Sequence, residues 1–125
     1  MKPKDVYIST PVSSRKEGTE RKRRKAAIRR VAELEALWTK TRPADYLTHH
    51  FYSFVNVTEE GMTDAQAMGA CIKKMLECDV VLVDDVAAAL TDSKGVMAER
   101  EVANIYGIDI VLVPDLLEEM EEDEK

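Results

Sequence analysis

Residues 79–84 read Asp79-Val80-Val81-Leu82-Val83-Asp84, a continuous apolar run with a carboxylate at each end. Four consecutive apolar residues suit a short strand that is buried on both faces, as in a parallel sheet. Cys78 precedes the run and Asp85 extends its polar end. The run therefore predicts a central strand of an α/β domain, with polar side chains just beyond the strand's carboxyl end.

Strands and helices are predicted to alternate along the rest of the chain. The predicted strands lie near Val6–Ser9, Phe51–Val55, Val80–Val83 and Ile108–Val113. The predicted helices begin at Thr19, at the capping-box pattern Thr63–Gln66 and at Ser93. Between Asp84 and Asp92 we expect a loop with at most one turn of helix. This order predicts a flavodoxin-like or Rossmann-like domain: a parallel sheet of four to five strands with helices on both faces.

Length and composition favour one cytoplasmic domain. The 125 residues suffice for a single domain at residues 1–117, followed by an acidic tail at 118–125 that is expected to be a frayed helical end. No apolar run approaches the ~20 residues that span a bilayer. Cys71 and Cys78 are too far apart on one helix for a disulfide, which indicates a reducing compartment. We expect no membrane contact, no metal site and no cofactor.

Charge is distributed unevenly around a net charge of −6. Basic residues crowd positions 15–30, and the run Glu20–Lys25 could indicate nucleic acid binding. However, no aromatic residue interrupts that run, and apolar residues recur at helical spacing after it. These apolar residues are Ala27, Val31, Leu34 and Trp38. An exposed helix face is therefore favoured over a nucleic acid site, while an interaction module that uses the basic helix and the acidic tail stays open.

The expected sheet topology indicates where a ligand would bind. Ligands of open parallel sheets lie beyond the carboxyl ends of the strands, where the strand order reverses, which points to Ser9–Arg15 and Asp84–Glu99. Ser93 and Gly95 begin a helix whose free N–H groups and dipole favour an anion. Glu99 can face the same cleft, where a carboxylate suits a nucleophile or base for sugar chemistry. Taken alone, the spacing favours a surface Glu that complements the helix dipole, since that is the usual role of a Glu in the first turns of a helix.

Several segments together carry a family resemblance. They are Val6-Tyr7-Ile8-Ser9-Thr10-Pro11, Ala67-Met68-Gly69-Ala70-Cys71-Ile72, Cys78-Asp79, Asp92-Ser93-Lys94-Gly95 and Glu99. In this order they resemble the nucleoside 2-deoxyribosyltransferase superfamily, including its deoxynucleotide N-hydrolase branch and a bacterial and phage branch. The resemblance extends from Val6 to Val113. It implies cleavage or transfer of the N-glycosidic bond of a (deoxy)nucleoside or its 5′-monophosphate. It also implies a homo-oligomer in which a neighbouring subunit completes each pocket.

The resemblance also implies roles for individual residues. Glu99 corresponds to the nucleophile that attacks C1′ of the sugar, and Tyr7 and Ser9 would line the sugar pocket. Ser93 would contact the 5′ side, and Arg15 would clamp a phosphate, because a guanidinium group fits phosphate oxygens. The candidate substrate-binding residues are Tyr7, Ser9, Thr10, Arg15, Asp84, Ser93 and Gly95.

One residue departs from the family pattern. Active members carry an Asp that helps to protonate the leaving base, and this chain has Cys71 at that position. A thiol with an ordinary pKa near 8.5 is a poor acid for this step. Asp84, Asp85 and Asp92 are candidates to replace it, so Asp85 and Asp92 join Glu99 as candidate catalytic residues. The alternative is a nucleotide or nucleotide-sugar sensor that binds without turnover.

Overall fold

The computed structural model describes residues 4–12, 18–41, 50–89 and 93–123. Its elements are β1 (Asp5–Ser9), α1 (Glu20–Thr41), β2 (His50–Tyr52), α2 (Phe54–Val57), α3 (Asp64–Leu76), β3 (Val80–Val83), α4 (Asp85–Ala89), α5 (Lys94–Ile105), β4 (Asp109–Leu112) and α6 (Val113–Asp123). The strands form one four-stranded, all-parallel sheet in the order β2-β1-β3-β4. The predicted α/β fold with a flavodoxin-like parallel sheet is therefore confirmed.

The two central strands supply the middle of the core. All four residues of β3 are buried, as the apolar run predicts. β1 lies beside it in parallel register, from Val6 opposite Val80 to Ser9 opposite Val83. The apolar face of α1 packs here as its spacing predicts, with Leu34 and Trp38 each 1% exposed. Burial of this continuous apolar surface is the main stabilising contribution.

The helix boundaries follow local hydrogen bonds that the sequence signals. Thr19 Oγ1 accepts a hydrogen bond from the backbone N–H of Lys22 at 3.2 Å, so it caps α1 as predicted. The predicted capping box of α3 is present at Thr63. Ser93 caps α5, and Gly107, just after that helix, has φ +71°. Only glycine adopts this left-handed conformation without strain, which explains why α5 stops here.

The helices cover both faces of the sheet. Successive side chains of a strand point to opposite faces. Ser9 bonds to Glu99 of α5, whereas the adjacent Thr10 lies in one hydrogen-bonded group with Arg30 of α1. Contacts between α1 and α6 and between α3 and α5 complete the two layers. The last residue of β1 and the residue after it therefore contribute to two separate polar clusters, one under each layer.

The second strand is shorter than predicted. We expected a strand at Phe51–Val55, but β2 ends at Tyr52 and α2 begins at Phe54. Ser53 caps that helix: its Oγ accepts from Val55 N at 3.1 Å, and its own N–H donates to Asn56 Oδ1 at 2.9 Å. These local side-chain bonds outweigh the strand propensity of Phe54 and Val55.

Two further segments differ from the sequence prediction. The strand expected at Ile108–Val113 spans Asp109–Leu112, and Val113 begins α6. Pro114 lies in the first turn of this helix, where its missing N–H costs no hydrogen bond. The acidic residues from position 118 continue the same helix to Asp123. The helical turn allowed within the loop after Asp84 is present as α4, at residues 85–89.

Candidate functional site

The carboxyl ends of β1 and β3 meet at the reversal of strand order. The backbone N–H of Asp84 donates to the carbonyl oxygen of Ser9 at 2.8 Å, immediately beyond both strands. Chain connections leave β1 and β3 toward opposite edges of the sheet, which opens a crevice at this point in flavodoxin-like folds. A ligand is therefore expected at the junction of Ser9 and Asp84, where the strand order reverses.

Glu99 is held against this junction from α5. Its side chain is buried, and the Ser9 hydroxyl donates to its Oε1 at 3.1 Å. The other oxygen, Oε2, is fully covered and receives no well-formed hydrogen bond from the described residues. A buried acceptor without a donor is unusual, because the desolvation of a carboxylate oxygen is costly. Glu99 is therefore not the exposed, dipole-complementing surface residue that the spacing also allowed.

Burial sets the protonation of Glu99. Loss of hydration raises the pKa of its carboxyl to about 7, against the opposing effect of hydrogen bonds from Tyr7 and Ser9. Burial also raises the pKa of Tyr7 far above its ordinary value, and the nearby Glu99 and Cys71 add to this. Tyr7 is therefore a neutral hydroxyl at every physiological pH. The protein interior thus holds a carboxyl group that changes charge near neutrality beside a hydroxyl that does not.

Cys71 is the third neighbour in this cluster. The thiol projects from α3, is buried, and lies close enough to the Tyr7 hydroxyl for the two groups to shift each other's pKa. Burial raises its pKa, the Tyr7 hydrogen bond opposes this, and the charge of Glu99 adds to it. The position where the family resemblance implies an acidic Asp thus lies beside the implied nucleophile, and the group there holds its proton tightly.

A second polar cluster lies under the other face of the sheet. Thr10 Oγ1 donates to Asp84 Oδ2 at 2.7 Å. Arg30 of α1 forms a two-pronged ion pair with Asp84, from Nε to Oδ2 at 2.8 Å and from Nη2 to Oδ1 at 3.0 Å. Both carboxylate oxygens of Asp84 are thus engaged by protein groups, which favours a structural role over direct ligand contact.

Three of the remaining predicted site residues lie in or next to α4 and α5. The Ser93 hydroxyl accepts the Val96 N–H at 3.3 Å, so its oxygen serves as the helix cap. A Cβ at Gly95 would meet no atom within 4 Å, which leaves open space at the first turn of α5. Asp85 begins α4, half-buried. Arg15 and Asp92 lie outside the described residues.

Sequence reasoning missed Arg30. It stands in a run of basic residues that was interpreted as one exposed helix face. The available signal is its position: Arg30 lies three residues after Ala27 and four before Leu34, both buried. Residues at these spacings lie on one side of a helix, so Arg30 borders the apolar stripe and can reach under it.

A shallow groove of about 560 Å³ lies between α5, β4 and α6. It is lined by Met97, Arg100, Glu101, Asn104, Ile110, Leu112 and Asp115. Glu99 does not line this groove, because its side chain points from α5 toward Ser9 of β1. We place the candidate site at Glu99 because the unpaired buried carboxyl is there.

No protein-family model, curated protein or solved structure matches the chain. Among residues 4–12, 18–41, 50–89 and 93–123, no three His, Cys, Asp or Glu side chains converge as metal ligands. Within the same ranges no helix is both long and apolar enough to cross a membrane.

Proposed function

We propose that this protein binds a nucleoside or its 5′-monophosphate and cleaves or transfers the N-glycosidic bond, with Glu99 as the nucleophile. One observation carries the proposal: a buried carboxyl at the strand-order reversal has one oxygen bonded to Ser9, while the other is buried without a well-formed hydrogen bond from the described residues. Structural carboxylates normally have all their acceptors satisfied, as Asp84 does here. The motif resemblance names the same residue.

The chemistry divides into two displacements. A Glu99 carboxylate oxygen forms a bond to C1′ of the sugar while the C1′–N bond breaks. The electron pair of the broken bond goes to the departing base, which takes up a proton. Water or a second base then attacks C1′, the ester bond to Glu99 breaks, and the carboxylate is regenerated. Water as acceptor gives a hydrolase, and a second base gives a transferase.

Tyr7 and Ser9 would orient the nucleophile. Both side chains belong to β1, a central strand, and both interact with the Glu99 carboxylate. Placement on a rigid strand limits the movement of the attacking oxygen, which favours a reactive geometry. Because Oε2 exposes no surface in this structure, the sugar must displace the groups that cover it before attack.

The leaving base needs a proton donor, and the candidates differ in their surroundings. Burial alone would raise the pKa of Asp84, but hydrogen bonds from Arg30, Thr10 and the Ala87 N–H bring it below its usual range. Asp84 is therefore ionised at neutral pH and is a poor acid. Asp85, next along the chain, has one carboxylate oxygen that is buried without a partner among the described residues. Asp85 is our preferred acid, with Asp92 as the second choice.

A non-catalytic sensor of nucleotides or nucleotide sugars is the second candidate function. Two observations favour it: Cys71 replaces the family acid with a thiol of raised pKa, and Glu99 Oε2 is covered. Such a protein would bind the same ligands through the same cluster and release no base. The two functions therefore share a ligand and differ in turnover.

The proposal includes a cellular setting. We expect the protein to act in the cytoplasm as a homo-oligomer on a small-molecule nucleotide, without a membrane or nucleic acid partner. The first turn of α5 and Arg15 would receive the 5′-phosphate, since helix N-termini favour anions.

Base release from a panel of deoxynucleosides and their 5′-monophosphates, followed by chromatography, tests the proposal. Glu99→Gln should abolish release and change ligand affinity by no more than several-fold, because the shape is kept and the attacking charge is lost. Glu101→Gln is the matched control, since Glu101 lies on the same helix and is exposed. Binding without release by the wild type supports the sensor. Release that Glu99→Gln leaves unchanged excludes Glu99 as the nucleophile.

A further inference from the structure

Asp84 is the most completely engaged charged group in the described part of the chain. Its side chain is 0% exposed and that of Arg30 is 25% exposed. Besides the two bonds from Arg30, it accepts hydrogen bonds from Thr10 Oγ1 at 2.7 Å and from the Ala87 N–H at 3.1 Å. One carboxylate thus connects β1, α1 and α4 at the carboxyl end of β3.

The ion pair is strongly coupled. A buried carboxylate without a partner is costly, and removing one member of a buried pair leaves an uncompensated charge. The hydrogen bond to Asp84 is the main reason that the pKa of Arg30 is raised, although burial opposes it. Each group therefore keeps the other ionised. Loss of Arg30 would therefore weaken the hydrogen bonds of Asp84 to its other partners, Thr10 and the Ala87 N–H.

The backbone connects this cluster with the candidate site. Asp84 bonds to the last residue of β1 and to the residue after it. Its N–H donates to the Ser9 carbonyl at 2.8 Å, and its carboxylate accepts from the Thr10 hydroxyl. Ser9 is also the residue whose hydroxyl donates to Glu99 on the opposite face of the sheet. The orientation of that hydroxyl depends on the backbone that Asp84 holds.

We infer that Arg30 is a positioning residue: through Asp84 it fixes the Ser9–Thr10 backbone, so that Ser9 can donate its hydrogen bond to Glu99. Its catalytic consequence rests on the proposed function, but the positioning itself does not. The bonds of Arg30 go to Asp84 and Glu33, under the face of the sheet opposite Glu99, so its effect on Glu99 passes through Asp84 and the β1 backbone.

A shift in the titration of Glu99 is the signature of this positioning. The titratable groups that face Glu99 are Tyr7 from β1 and Cys71 from α3, whereas Arg30 and Asp84 lie under the other face. Removing Arg30 therefore changes the titration midpoint of Glu99 only if the hydrogen bond from Ser9 to Glu99 becomes weaker. A weaker bond stabilises the carboxylate less, which raises the midpoint of Glu99 titration by about half to one pH unit.

The experiment compares Arg30→Gln with Arg29→Gln in the full chain. Arg29 is the adjacent, exposed residue of the same type on α1, so the pair controls for the loss of a positive charge. Glu99 is titrated by NMR of carboxyl-labelled protein, and hydrogen exchange is measured at the Asp84 amide, which donates to Ser9. We expect Arg30→Gln to raise the midpoint and to speed exchange at least tenfold, with both values unchanged in Arg29→Gln. Equal values in the two folded variants would overturn the inference.

Further variants keep the test decisive if Arg30→Gln does not fold. Arg30→Lys retains the charge but cannot make both bonds to Asp84, and we expect a smaller shift in the same direction. The double variant Arg30→Gln/Asp84→Asn removes both charges of the ion pair, so no uncompensated charge stays buried and the protein should fold. The titration midpoint of Glu99 should stay raised in it. A midpoint at the wild-type value in both variants would also overturn the inference. Absence of base release in the wild type counts against the proposed activity alone, because titration and exchange need no substrate.

Discussion

The Ser9 hydroxyl and the Glu99 carboxylate are 90 positions apart in the chain, yet they lie 3.1 Å apart in the protein interior. Ser9 ends the first strand, and Glu99 lies about one and a half turns into α5, the second helix after the third strand. Because β1 and β3 are neighbours in the sheet, the inward face of that helix covers the end of β1. The resulting hydrogen bond joins the end of β1 to α5.

The activity should depend on pH through Glu99. In the proposed mechanism only the carboxylate attacks C1′, and burial raises its pKa to about 7, so base release should rise with pH to half its maximum near pH 7. Ser9→Ala should move this midpoint upward by about half to one pH unit, because the hydrogen bond to the charged form is lost. The measurement is the initial rate of base release from pH 5 to pH 9.

Thr39→Ala is the control for this profile, since it removes an exposed hydroxyl on α1 that bonds only within its own helix. It should leave the midpoint where it is. A wild-type profile that is flat from pH 5 to pH 9 would contradict a titrating carboxylate nucleophile.

Folding stability should depend on the same proton. The folded protein binds it more tightly than the unfolded chain, because burial raises the pKa of Glu99 from 4.5 to about 7. The stabilisation is complete below pH 4.5 and is lost as the pH rises through 7. Glutamine carries no charge at any pH. Relative to wild type, Glu99→Gln should therefore gain about 2 to 3 kcal/mol of unfolding free energy between pH 5 and pH 8.

Urea denaturation at both pH values measures this difference. Glu101→Gln, on the exposed side of α5, should show no such change. If the Glu99→Gln and wild-type stabilities run parallel between the two pH values, Glu99 has an ordinary carboxyl pKa in the folded protein.

The sequence was sufficient where one physical effect dominates. The apolar run at residues 80–83 predicted a central, doubly buried strand because nothing polar competes within it. The rule for parallel sheets then placed Ser9 and the segment from Asp84 to Glu99 at one edge, and Ser9 and Glu99 indeed touch there. Such predictions need only periodicity and topology.

The sequence was insufficient where a contact depends on tertiary geometry. Arg30 is one of several basic residues on α1, and only its pairing with Asp84, 54 positions away, distinguishes it. Propensity likewise predicted a strand through Val55, because it carries no information on the reciprocal bonds between Ser53 and Asn56. Neither outcome follows from hydrophobic pattern alone.

Assembly is the third prediction. Light scattering at micromolar concentration should give at least twice the 14.1 kDa monomer mass. Ile105 and Tyr106, at the end of α5, are 67% and 69% exposed, and exposed apolar side chains in a cluster mark contact surfaces. Ile105→Glu should therefore weaken the oligomer, whereas Ile28→Glu, on α1, should not. A wild-type monomer at this concentration would exclude the assembly.

Phosphate recognition is the fourth prediction. Arg15→Ala should weaken binding of nucleoside 5′-monophosphates by roughly tenfold or more and leave nucleoside binding nearly unchanged, because a charge-assisted bond to phosphate is lost. Ser93→Ala also removes the cap of α5 and can weaken binding of both ligands. The informative quantity is therefore the difference between its loss of nucleoside 5′-monophosphate affinity and its loss of nucleoside affinity. Calorimetry with matched pairs of ligands gives that difference. Equal losses for both ligands would remove the phosphate site.

The last prediction concerns the acid that the family pattern places at Cys71. If no residue of the wild type supplies the proton, as in the sensor function, Cys71→Asp should raise base release by about 10²–10⁴-fold, the usual contribution of a general acid, because position 71 lies beside Tyr7 and Glu99. A second buried carboxyl also costs stability, so a thermal melt accompanies the assay and Cys71→Asn, of the same size and uncharged, is the control. A gain for Asp without a gain for Asn identifies the missing step as proton transfer. A folded Cys71→Asp protein no faster than Cys71→Asn would show that proton donation at position 71 does not limit turnover, and would leave Asp85 or Asp92 as the donor.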